Sequence, residues 1–308
     1  MAAQAPTAAA WPDLSPAAWR DTFATLHMWM QIVGKTRLAL APFENHWWHV
    51  TLYVTERGFT TLPMPAGTRA LSVEFDFLDH RLVMRCDDGA SRSLDLAPMT
   101  VASFFAEYLE GVRSLGFDPR IVPRPVEVEV ATPFAQDHGH SSYDAVAAHA
   151  WWRTVAQADR VFKRFRSGYS GKQSPSHFFW GSFDLAVTRF SGRPAPRHPG
   201  GAPNCPDYVM VEAYSRECAS AGFWPGGGAV DEAAFYAYAY PEPEGYSGAK
   251  VRPAAAYYHA KAREFILPYA AVRTAPDPDA ALLEFLQSTY EAAASQGKWD
   301  REALERKA

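Results

Sequence analysis

Apolar residues fall at intervals of three and four in four stretches of the chain, and alternate with polar ones in much of the rest. Trp19, Phe23, Leu26, Met30 and Val33 make the buried stripe of a first helix, opened by Ser15-Pro16 as cap and first helical residue and ended by Gly34. Thr100 caps a second, carrying Phe104, Phe105, Tyr108, Val112 and Leu115 and stopped by Gly116. A third starts near Asp144, carries Trp152, Val155, Phe162 and Phe165, and stops at Gly168. A fourth opens with Asp277-Pro278 and buries Leu282, Phe285, Leu286 and Tyr290 before Gly297. Alternation predicts strands over 46–54, 70–77, 81–86 and 92–96, with Asp87-Asp88-Gly89 as a hairpin turn, and again over 177–187, 234–240, 254–259 and 264–267.

The two halves share an order of landmarks. Trp19-Arg20 leads through Gly34-Lys35 and Pro42 to Asn45-His46-Trp47-Trp48, and Trp152-Arg153 through Gly171-Lys172 and Pro175 to Ser176-His177-Phe178-Phe179. Each strand then runs into Val-Thr with an arginine close by, at Val54-Thr55 with Arg57 and at Val187-Thr188-Arg189. The expectation is an α+β protein made by internal duplication: two α–β4–α units with antiparallel sheets packed about a pseudo-twofold axis. Residues 11–118 form the first unit, 119–142 a Pro-rich connection and 143–299 the second, in one globule. The second carries an insertion, 192–228, rich in Pro and Gly, with a short helix from Asp207 to Ala221; it reads equally as a lid and as an elaborated surface. A seam between two such units is a natural place for a cleft.

If 46–54 is a strand, Trp47, His49, Thr51, Tyr53 and Thr55 share one face; Phe178, Trp180, Ser182, Asp184, Ala186 and Thr188 share one in the second half. Mixed aromatic and polar faces suit a pocket that stacks a ring and fixes it with a few hydrogen bonds. His49 and Asp184 are the candidate proton carriers; Trp47, Tyr53, Trp180 and Ser182 would line the site, covered by Glu212, Arg216 and Trp224 of the insertion. Glu212 and Arg216 also suit a plain surface salt bridge across one helical turn. Residues three apart on a strand point to opposite faces, so His46 and His49 do not form a joint metal site. A His-ligated metal centre would need His46, His49, His177 or His198 to converge from different strands. Asp76, Asp79 and His80 read as a hairpin turn.

Composition narrows the classes. Hydrophobic residues make up 48% and charged ones 21%, as in a folded soluble protein, and 10 Trp, 14 Tyr and 19 Phe suffice for both a core and a lined cleft. A net charge of −4 gives no basic footprint for nucleic acid or an anionic membrane. No apolar run spans a bilayer, and Met1–Ala10 lacks the charged and apolar regions of a leader. Cys86, Cys205 and Cys218 are too few for a disulfide framework, so a cytoplasmic location is expected. No nucleophile elbow, zinc-protease helix, dinucleotide fingerprint or phosphate loop occurs, and no cofactor is implied. The readings that remain are a small-molecule-binding protein, with His/Asp acid–base chemistry if it is an enzyme, or a non-catalytic scaffold that homo-oligomerises through the insertion and the Tyr-rich strand 235–240.

The run from His177 to Gly192, the segment Ser220 to Gly228 with Phe223-Trp224-Pro225-Gly226-Gly227-Gly228, the run Phe235 to Pro241 and Asn45-His46-Trp47-Trp48-His49 resemble a family of uncharacterised, mostly bacterial proteins known only as a domain of unknown function. The resemblance spans about Trp11 to Trp299. It implies a bacterial source and carries no activity, ligand or catalytic residue.

Overall fold

The computed structural model describes residues 10–14, 16–227 and 230–306; the Ser15 cap, the Met1–Ala9 stretch and Gly228 of the glycine run lie outside the described residues. Seven helices and twelve strands occur among the described residues: α1 Pro16–Leu40, β1 Tyr53–Val54, β2 Gly58–Thr60, β3 Met64–Ala66, β4 Arg69–Asp76, β5 Arg81–Cys86, β6 Ser91–Asp95, α2 Val101–Ser114, α3 Ala145–Ser167, β7 His177–Phe179, β8 Asp184–Pro194, α4 Asp207–Ala213, β9 Arg216–Trp224, β10 Ala234–Tyr240, β11 Tyr257–His259, β12 Glu264–Pro268, α5 Tyr269–Arg273, α6 Pro278–Gln296 and α7 Arg301–Leu304. The fold is α+β, with two antiparallel sheets. The first runs β1-β2-β4-β5-β6 with β3 also on β4; the second runs β11-β12-β10-β9-β8-β7. Each sheet thus has six strands where alternation predicted four. The extra ones are the short β2 and β3, β9, which falls inside the expected insertion, and one that arises because 177–187 divides between β7 and β8.

Leu52 and Phe178 exchange both backbone hydrogen bonds, at 2.9 and 2.8 Å, and stitch the first strand of one sheet to the first strand of the other. Around that junction α1 is buried on nearly every side, with Leu26, Trp29, Met30, Ile32 and Val33 inaccessible, so its pattern is that of a central helix rather than a one-sided one. Trp29 stacks on Phe104 of α2, and Trp19 on Trp151 of α3. Three predicted caps hold: Thr100 accepts from Ser103 N, Asp144 from Val146 N and Ala147 N, and Asp277 from Ala280 N.

Four expectations are corrected. The first helix does not stop at Gly34 but runs six residues further, because that glycine serves packing: a Cβ there would overlap the Trp180 indole. The segment 46–54 is not a strand. Asn45–Val50 is a 3₁₀ turn in which His46 and Trp47 hold left-handed backbone (φ 57° and 62°), and only Tyr53–Val54 pairs as strand. The run 177–187 is a hairpin, not one strand, because Trp180–Phe183 form its turn with Phe183 at φ 62°. Finally, the helix from Asp207 ends at Ala213, and residues 216–224 are β9, paired on both sides by β8 and β10. The Asp76–His80 segment is the expected turn, with Asp76 accepting from Leu78 N and Asp79 N and bonded to Arg57.

Candidate functional site

A cavity of about 450 Å³ lies on the outward face of the second sheet. Its floor is Asp184, Ala186, Thr188 and Phe190 of β8, with Cys218 and Ser220 of β9 and Tyr236 and Tyr238 of β10. The Trp180–Phe183 turn explains this set. It shifts the parity of the hairpin, so His177 and Phe179 line the cavity with Asp184 while Phe178 joins the core. The roof is α4 and the His46–Trp48 segment, locked together by three bonds: Trp47 Nε1 donates to Val209 O at 2.9 Å, His46 N to Glu212 Oε1 at 2.9 Å, and His46 Nδ1 lies 3.0 Å from Ala213 O. The wall is the Pro-rich connection. Gln31 of α1 grips it as a strand would, Nε2 donating to Val126 O and Oε1 accepting from Val126 N.

Polar groups gather at one end of an otherwise largely apolar cavity. Asp184 accepts from Ser182 Oγ at 2.7 Å and from the Tyr236 hydroxyl, and burial raises its carboxyl above the usual range. Burial and the adjacent Asp184 push the Glu127 carboxyl up to about 7, against the opposing pull of the Ser182 hydroxyl and the Lys35 ammonium. Lys35 projects from α1, and burial lowers its ammonium to about 8. Glu264, behind Asp184 on β12, is also pushed to about 7 by burial and by Asp184. Two glycines let these groups approach. A Cβ on Gly181 would overlap the Glu127 carboxylate, and one on Gly222 would overlap the Tyr236 ring. Such a gathering of shifted acids in a cleft is the physical mark of a functional site.

The sign of the Glu127 shift gives a stability prediction. The folded chain holds this proton up to about pH 7 and the unfolded chain releases it near 4.5, so stability falls as pH rises between those values. In urea titrations at pH 5 and pH 8, Glu127→Gln is expected to lose less stability across the interval than the parent. An equal or larger loss would show that Glu127 does not hold the proton.

Of the residues proposed from sequence, Asp184, Ser182, Trp180 and Trp47 line this one cavity. Glu212 stands at the roof, bonded to the His46 backbone, and makes no helical-turn pair with Arg216, which begins β9 at the surface. Tyr53 lies under the Arg37 guanidinium, and Trp224 packs at the far end of β9 against Val230, Ala234 and Ile266. His49 is buried between Phe43 and Trp47 with Nδ1 accepting from Glu44 N; Asp184 is met by a serine and a tyrosine rather than by an imidazole. Glu127 and Lys35 were not singled out. The signals were an acid in the valine-rich stretch Val126-Glu127-Val128 and a lone lysine continuing an apolar helix beyond its glycine. Among the described residues no group of three or more His, Cys, Asp or Glu side chains is placed to hold a metal ion.

Fold and site together define a two-sheet α+β protein with an aromatic, acid-floored cavity. The chain belongs to the family of unknown function DUF5996, which matches residues 11–306. No curated protein and no solved structure matches it.

Proposed function

We propose that this protein binds a small, largely apolar molecule in the cavity on the second sheet and handles a proton on it with the carboxyls of Glu127 and Asp184. The observation that carries the reading is the convergence of Lys35, Glu127, Ser182 and Asp184 at one end of a half-open, largely apolar cavity. A carboxyl with pKa near 7 is present in both protonation states at neutral pH, which is what general acid–base work requires. The volume suits a ligand of one or two rings, and the indoles of Trp47, Trp48 and Trp180 offer it flat apolar surfaces.

The scaffold alternative finds less support. The Tyr-rich β10 is paired on both edges, and its Tyr236 and Tyr238 face the cavity, so the strand is not free to pair with another copy. Two further readings belong to this proposal. The internal duplication about a pseudo-twofold axis is one, and the one six-stranded antiparallel sheet built by each half of the chain is what favours it. The unpaired thiols of Cys86, Cys205 and Cys218 suit a bacterial cytoplasm. Among the described residues no helix is long and apolar enough to cross a membrane.

The test is a fluorescence titration with N-phenyl-1-naphthylamine, a neutral two-part aromatic probe. The parent should bind it saturably at one site, with energy transfer from the cavity tryptophans. Thr188→Phe, which puts a ring on the cavity floor, should weaken binding about tenfold or more while the thermal midpoint stays within a few degrees. Equal binding by parent and variant, or no binding by the parent, would overturn the proposal.

A further inference from the structure

Among the described residues Lys35 is the one lysine that lines the cavity, and the acid–base reading gives it no task. Its residue is 4% exposed. No hydrogen-bond acceptor and no carboxylate within salt-bridge distance partners its amine among the described residues; the ammonium sits 5.4 Å from the centroid of the Trp180 ring. An unpaired buried charge is costly, so a lysine buried for structure calls for an ion pair or a cage of rings and acceptors such as the one around Arg189; Lys35 has a single indole at 5.4 Å. The groups facing Lys35 are Glu127 from the Pro-rich connection, Cys205 from the segment before α4 and the Trp180 indole from the hairpin turn. With Glu127 and Asp184 at the same end, a ligand anion would meet carboxyls as well as the ammonium. A neutral, electrophilic ligand group meets no such repulsion.

We propose that Lys35 is a covalent site, whose amine condenses with the carbonyl carbon of an aldehyde or ketone bound in the cavity to give an imine. The inference rests on the ligand-binding reading above and names its ligand class: an apolar, ring-bearing carbonyl compound. The free amine adds to the carbonyl carbon, forming the C–N bond, and the carbonyl oxygen takes a proton from the Glu127 carboxyl. The nitrogen then returns a proton to the Glu127 carboxylate. A second donation from Glu127 releases the hydroxyl as water, and the C=N bond forms with no oxidant or reductant. One group must act as both donor and acceptor, which suits a carboxyl poised near neutrality. Burial in an apolar pocket is an established way to make a lysine nucleophilic, and it lowers the Lys35 ammonium to about 8 from 10.5.

The experiment treats the full chain at pH 7.5 with 3-phenylpropanal and sodium cyanoborohydride, which fixes any imine as a secondary amine, and locates adducts by peptide mass mapping. Lys163, Lys250, Lys261 and Lys298 are exposed and serve as internal references. The expected result is modification of Lys35 about tenfold or more faster than of any reference. Glu127→Gln should slow the Lys35 reaction about tenfold and leave the references unchanged. Lys35→Met should lose that adduct alone. Lys35 modified no faster than the references, while N-phenyl-1-naphthylamine still binds, would overturn the imine and leave the binding reading standing. Failure of both would remove the cavity reading and this inference together.

Discussion

Gly222→Ala is expected to lower stability by about 3 kcal/mol, at the upper end of what overpacking a close-packed interior costs. Gly222 sits mid-strand in β9, where its missing side chain leaves room for the Tyr236 ring to lie across the sheet and reach Asp184. A Cβ there would overlap both the Tyr236 phenol and the backbone oxygen of Leu185 on β8. The ring can turn away, at the expense of the hydrogen bond that satisfies a buried carboxyl; the backbone of a central strand cannot. In a Tyr236→Ala background Gly222→Ala should therefore cost less than in the parent, but still destabilise through the Leu185 carbonyl. Gly248→Ala is the control. A Cβ there meets nothing within 4 Å, so its urea midpoint should match or slightly exceed the parent's. A Gly222→Ala midpoint equal to that of Gly248→Ala would show that β8, β9 and Tyr236 are not packed as described.

Arg189→Ala is expected to cost about 4 kcal/mol, near the top of the range for truncating a large buried side chain. The Arg189 residue is 2% exposed, and its guanidinium lies over three aromatic rings: 3.5 Å from the centroid of Phe165, 4.2 Å from Tyr290 and 4.9 Å from Tyr169. It also donates to the Phe165 carbonyl near the end of α3, where the helix dipole favours a cation. Burial pulls its pKa down to about 10, so it remains charged at neutral pH and its cage supplies the stabilisation that water would have given. Arg189→Met keeps the stem's packing and loses the charge contacts, and should cost about half as much. Arg189→Met as stable as the parent, read by urea denaturation, would assign the effect to packing alone and contradict the role given to the cage.

The match between sequence and structure follows how local each signal is. Helix caps and stripes are local, and Thr100, Asp144 and Asp277 cap where their spacing said they would. Strands β5 and β10 coincide with alternating runs because each packs one face on the core. What failed was set by distant partners. Asn45–Val50 alternates as a strand would, yet Glu212 and the carbonyls of α4 hold it in a left-handed turn that its own residues do not announce. The run Cys218–Gly222 is small and helix-tolerant in isolation, but β8 and β10 take it as a strand, because only small residues leave room for the tyrosines opposite. The candidate site shows the same division. Ser182 and Asp184 were legible two residues apart, though as one face of a strand rather than as a turn and the strand after it, whereas Glu127 and Lys35 reach the cavity from a connection and a helix that no local pattern relates to it.

The most direct test of the central claim, that this chamber holds a small apolar molecule, is a crystal structure of the full chain exposed to bromobenzene, read by the anomalous signal of bromine. A peak is expected inside the cavity, between the Trp47–Trp180 side and the Tyr236 floor, with Glu127 and Asp184 at its polar end. Bromine found only on the outer surface, or a chamber filled by its own side chains, would contradict it.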